Sequence, residues 1–200
     1  MATISKTADI AILAHTAITH PDTLVGSAQD VSTKLAATIV LFHCSVEATA
    51  NTNSGVFLIQ VSGSASGNED WVTIVSFAAT VSTADTEALT ATEPVGETVL
   101  AVASTTGFVA GDYVYIQNTT LASGEWGRLQ EIVTNTSLNL MDGLTNQQTN
   151  TSVAWNDADI FIAQVDLTAV TRIRVVFQHE GATGANVHVK GLMVTGDSIA

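Results

Sequence analysis

Between Lys34 and Arg172 the chain has a single basic residue, Arg128, and across all 200 residues it sets six Lys and Arg against 29 Thr. That imbalance constrains the fold more than any motif does. β-branched side chains lose freedom in helices and pack well on pleated surfaces, so a Thr-rich, charge-poor chain is expected to make sheets and loops. Hydrophobic residues form 46% of the sequence and charged ones 12%. Such a chain can bury a sizeable core, and disorder is excluded as its main state. Apolar runs such as 36–44 are far shorter than the ~20 residues of a membrane-spanning helix. Residues 1–6 carry one Lys and no apolar run of signal-peptide length, so classical secretion is not expected.

The strand signal is strong and repeats. Segments 37–47, 55–64 and 71–79 are rich in Val, Ile, Phe and Thr, and Asn-, Ser- and Gly-rich turns separate them. Phe57, Ile59 and Val61 alternate with Gln60 and Ser62, which predicts a half-buried strand. The same alternation puts Trp71, Val75 and Phe77 on one face, with Trp71 in the core. Three further strands are predicted at 159–167, 171–180 and 186–195, the last two as a hairpin around Gly181 and Gly184. Spacing of this kind favours a sandwich or jelly roll over βαβ units. The only helix signal, 83–92, is good for one or two turns.

The texture changes after Pro94-Val95-Gly96-Glu97. Short strands with tight Gly and Asn turns follow, the scale of a small barrel. The expected architecture is therefore all-β: an antiparallel sandwich host of residues 1–97 plus 158–200, with a barrel-like β module, 98–157, inserted in it. Residues 1–28, polar and mixed in pattern, suit an arm that orders on docking.

The insert resembles a small β module of tailed-phage virion proteins. The resemblance rests on Thr106-Gly107-Phe108, Gly111-Asp112, the strand 113–116, the Glu-containing strand 125–133, Leu138-Asn139-Leu140 and Gly143-Leu144. The host part is similar to phage head or tail sandwich proteins, through a Ser/Thr-rich run before a Trp-containing strand and a closing Thr171-Arg172-Ile173-Arg174-Val175 strand. These are packing and turn signatures. The resemblance implies a structural virion role, foremost capsid decoration, with homo-oligomerisation and contacts to the major capsid or another virion protein. A tail or head-fibre component is the alternative within that class, and a glycan-binding module or adhesin the alternative outside it. Gly107 and Gly111 also have a reading of their own, as turn residues with positive φ, with Phe108 plugging the barrel end.

Residues able to do chemistry are scattered. Lone Cys44 cannot form an internal disulfide, and neighbouring His43 points to the opposite face of a strand. His15, His20 and Asp22 lack zinc-like spacing. His179 and His188, with Glu180, could meet only across their expected hairpin. Asn68-Glu69-Asp70 and Asp157-Ala158-Asp159 are acidic turns that do not match a calcium loop. Glu125 with Glu131 or Asp142 is no better a carboxylate pair than any other. Asn118, Asn135 and Asn150 head glycosylation-type triplets that arise by chance in a Thr-rich chain. The formal charge of −13 argues against nucleic acid and anionic membranes. No catalytic residue, cofactor or metal is expected. Of the aromatic residues Trp71, Trp126, Trp155, Tyr113 and Tyr115, Trp126 follows a Ser-Gly-Glu turn and is the candidate for contact with a partner or glycan.

Overall fold

The computed structural model describes residues 8–19, 22–46, 54–67, 70–80, 84–179 and 186–197. In chain order the strands are β1 (Ile10–Thr19), β2 (Thr23–Val25), β3 (Gln29–Asp30), β4 (Lys34–Ser45), β5 (Ser54–Ser62) and β6 (Val72–Thr80). Then come β7 (Thr86–Ala88), β8 (Val99–Ala101), β9 (Tyr113–Gln117), β10 (Glu125–Val133) and β11 (Ser137–Leu140). The last three are β12 (Val153–Asp166), β13 (Arg172–His179) and β14 (Asn186–Asp197). Among the described residues all strand pairs are antiparallel, and the only helical piece is one 3₁₀ turn, Leu121–Ser123. The segment 83–92, expected to hold a helical turn, instead carries β7, which pairs with β12.

Two sheets stack as a sandwich. The larger runs β1-β14-β4-β12-β9-β10-β11-β8, and the smaller runs β2-β13-β5-β6. Alternate residues fill the space between them. Ile39 and Leu41 of β4, Ala163 and Val165 of β12, and Phe57, Ile59, Val175 and Phe177 of β5 and β13 are buried in one cluster. Phe57 and Phe177 meet at 4.7 Å between ring centroids, and Phe77 stacks on Phe161 at 5.2 Å. Residues 10–19 of the expected arm belong to this body: β1 pairs with β14, and Ile12, Leu13 and Ile18 are core residues. The start of that arm, 1–7, lies outside the described residues.

Two expectations are corrected by register. Val75 pairs with Ile59 but Thr73 with Gln60, a bulge that fits one extra residue into β6. Alternation therefore reverses, and Trp71 leaves the core face. It lies under the guanidiniums of Arg172 and Arg174, 4.8 and 4.2 Å from its ring centroid. The predicted hairpin of the last two strands is absent as well: β13 sits in the smaller sheet and β14 in the larger.

The barrel has its own closure. β12, β9, β10, β11 and β8 pair in series, Val102 bridges to Leu89, and β7 returns to β12. Leu89, Leu100, Val114, Leu129, Leu138 and Leu144 fill it, with Phe108 only 7% exposed at its end. Gly107 and Gly111 adopt φ of 82° and 101°. β12 serves both bodies: Val153–Ala158 pairs with β9, and Ala158–Asp166 pairs with β4.

Candidate functional site

Where β12 passes from barrel to sandwich, side chains from five strands meet on the outer face of the larger sheet. Tyr115 of β9 is fully buried. Its hydroxyl lies 3.1 Å from His15 Nε2 on β1 and 3.0 Å from His188 Nδ1 on β14, and the two imidazole nitrogens are 3.4 Å apart. One hydroxyl both donates and accepts, so it satisfies one neutral imidazole of each kind. Trp126 of β10 packs on Tyr115 at 4.5 Å, His15 at 5.0 Å and Phe42 at 5.4 Å between centroids, and its Nε1–H donates to His43 O at 3.0 Å. Gly124 makes the approach possible, because a Cβ there would stand 2.2 Å from the Tyr115 hydroxyl.

The electrostatics favour neutral groups. Burial, and then the positive charge of Lys190, lowers the pKa of His15 to about 4; burial, and then His15, lowers His188 to about 4. Burial also pushes up the Tyr115 hydroxyl and the Cys44 thiol. Cys44 is fully buried, and its thiol donates to its neighbour's carbonyl, Ser45 O, at 3.3 Å. This is a poor setting for a nucleophilic thiolate.

Beside the cluster a cavity of about 300 Å³ opens between the outer face of the sandwich and the barrel. Phe42, Tyr113 and Trp126 supply aromatic wall, and Lys190, Arg128 and Asp142 supply charge. Glu125 also lines it but is already occupied: its carboxylate accepts from Thr145 N at 2.8 Å, Asn146 N at 3.1 Å and Gln148 Nε2 at 2.8 Å, and from the Thr145 hydroxyl. Trp126 is thus half-buried in a strand, with a hydrogen-bonded indole and part of its ring on this cavity.

The other sequence candidates do not converge. His179 is 4% exposed within the sandwich, with its ring 6.3 Å from that of Phe177, in the sheet opposite His188. His43 is fully buried, and both its ring nitrogens are without a hydrogen bond; the nearest carboxylate oxygen, Asp159 Oδ2, is 4.0 Å away. Burial, and then His179, lowers the His43 pKa to about 3. Burial, and then Asp157, raises that of Asp159. Asp70 accepts from Ser62 at 2.6 Å and lies 3.4 Å from Arg172, and Glu131 accepts from Asn139 at 3.2 Å. Asn118 donates to Gln147 and Gln148, and Trp155 donates to Gln117. His20, Asn68, Glu69 and Glu180 lie outside the described residues. Among the described residues no three His, Cys, Asp or Glu are placed to hold a metal ion. Excess EDTA is expected to leave the melting temperature unchanged; a fall of roughly 10 °C would reveal an ion contributing to folding.

No family model matches the chain, and no curated protein matches it. Several solved structures match the chain at low TM-score. SPBc2 prophage-derived protein YomS matches at 13% identity and a TM-score of 0.33, over 97% of this chain and 96% of that one. The K3 cleaved adhesin domain of Lys-gingipain from Porphyromonas gingivalis matches at 12% and 0.32, over 86% of this chain and 63% of that one. VP17, a capsid protein of bacteriophage P23-77, matches at 9% and 0.20, over 98% and 100%. The similar structures thus include phage and viral capsid proteins and an adhesin domain. At these TM-scores the likeness gives this chain no function.

Proposed function

We propose that the chain is a structural, non-enzymatic virion component that binds neighbouring subunits through its sheet surfaces, foremost as a capsid decoration protein. The observation that carries this reading is the outer face of the larger sheet. Ile162, Val40 and Leu192 are register partners across β12, β4 and β14, turned away from the sandwich interior. Val40 is the middle of that row, and Ile162, at its β12 end, is 62% exposed. An aliphatic row three strands wide, in a chain that spends so little charge on its surface, is a docking surface. The occupants that fit are a second copy or the virion protein beneath it. On this reading the barrel, which we take as the inserted module 98–157 together with the β7 strand that closes it, projects from the particle.

The reading predicts that Ile162→Lys folds normally but no longer associates. Light scattering of the purified protein and mass spectrometry of purified particles measure the two halves of the claim. Wild-type protein that stays monomeric at high concentration and is absent from particles would overturn it.

A further inference from the structure

The cavity beside Trp126 has features that subunit docking does not need. Two of the six basic residues in a chain of net charge −13, Lys190 and Arg128, line it. Lys190 Nζ stands 5.9 Å from the centre of the Phe42 ring, and the Arg128 guanidinium 5.7 Å from that of Tyr113, while Arg128 Nε–H donates to Gly111 O at 2.9 Å. Both cations are therefore held over aromatic faces. Elsewhere the acidic surface repels anions, so two cations lining one recess make this a local place for one. The rest of the recess suits a sugar ring. Phe42, Tyr113 and Trp126 line it with apolar ring surface for its C–H side, and exposed Asp142 offers an acceptor for its hydroxyls. About 300 Å³ is room for one or two sugar rings. A phosphate, carrying nearly two charges, would meet the carboxylates of Asp142 and Glu125; a single carboxylate suits the two cations better.

We propose that this recess, between the sandwich face at Lys190 and Phe42 and the barrel strand at Trp126 and Arg128, binds a carboxylate-bearing sugar of the uronic acid class. The carboxylate pairs with Lys190 and Arg128, the ring lies against the aromatic wall, and Asp142 accepts a hydroxyl hydrogen. The recess adjoins the docking row, since Ile160, Phe42 and Lys190 are register partners one row along the same face from Ile162, Val40 and Leu192. Sugar binding is read on the free chain and association by light scattering, so the failure of one is distinguishable from the failure of the other.

Titration with D-glucuronate, with D-glucose as the neutral control, tests it. The readout is the indole N–H resonances in heteronuclear NMR spectra of the full chain. Glucuronate at millimolar concentration is expected to shift the Trp126 resonance saturably and leave Trp71 unmoved. Lys190→Gln is expected to weaken that binding at least tenfold with an unchanged melting temperature, and Arg128→Gln to act in the same direction. Glucose shifting Trp126 as strongly as glucuronate would overturn the charge assignment. Glucuronate leaving Trp126 unmoved, or binding K190Q undiminished, would overturn the site.

Discussion

Stability is expected to fall steadily as pH drops below 6.5. His43 and His188 are buried and His15 is half-buried, with folded pKa values lowered from 6.5 to about 3, 4 and 4. A group whose folded pKa is depressed leaves stability intact above its unfolded value. It removes stability as pH falls toward the folded value, because the unfolded chain takes up the proton first. The window here runs from pH 6.5 down to between 3 and 4. Each fully buried imidazole removes about 1.4 kcal/mol per pH unit across it, and the half-buried His15 removes less. Asp159, whose carboxyl is raised, works in the opposite direction. Other charged groups near these imidazoles are Lys190 at His15 and, through Cys44, Asp157. Denaturant midpoints at pH 7, 5.5 and 4.5 measure the slope, and His43→Gln should flatten it by one imidazole's share. Stability that stays flat from pH 6.5 to 4.5 would contradict the neutral assignment.

The second large effect is expected at Tyr115. Its ring carries Trp126 and His188 at 4.5 and 4.7 Å between centroids, and its hydroxyl engages both histidines. Tyr115→Ala opens a cavity at the joint between barrel and sandwich and strands polar nitrogens there. The expected loss is roughly 3–5 kcal/mol, or on the order of 10 °C in melting temperature. Tyr115→Phe keeps the packing and removes only the hydroxyl, for a loss of about 1–2 kcal/mol. Hydrogen exchange should show the alanine variant freeing amides of β9 and β10 ahead of those in β4 and β5. An alanine variant within 1 kcal/mol of wild type would show that the joint is held elsewhere.

The fold was legible in the sequence wherever periodicity was local. The alternation in 57–62 reports β5 directly, and the Gly107 and Gly111 turns report the barrel entrance. Trp71 was misplaced because a bulge reverses the face of a strand without leaving any mark in its own residues. The expected hairpin that would bring His179 to His188 is absent because strand order is a property of the whole sheet. The Tyr115 site was not legible, since Tyr115 lies 100 residues from His15 and 73 from His188. Trp126 stood out in the sequence for the turn before it, yet its position comes from two contacts that the sequence does not announce, Tyr115 and the carbonyl of His43.

The pairing of the first strand with the last sets an order for synthesis. β14 lies between β1 and β4, so the larger sheet lacks the two ladders that join β1 to β4 until residues 186–197 have left the ribosome. The barrel needs nothing beyond Ala158 and can close while the chain is still growing. Contacts this distant in sequence form slowly. The nascent chain thus holds a finished barrel beside β4 and β5, whose apolar faces wait for later strands, and aggregation is most dangerous in that interval. Released chains truncated after residue 175 should resist protease in the barrel and be cut in β4. Protection of β4 at that length would show that the sandwich closes without its last strand.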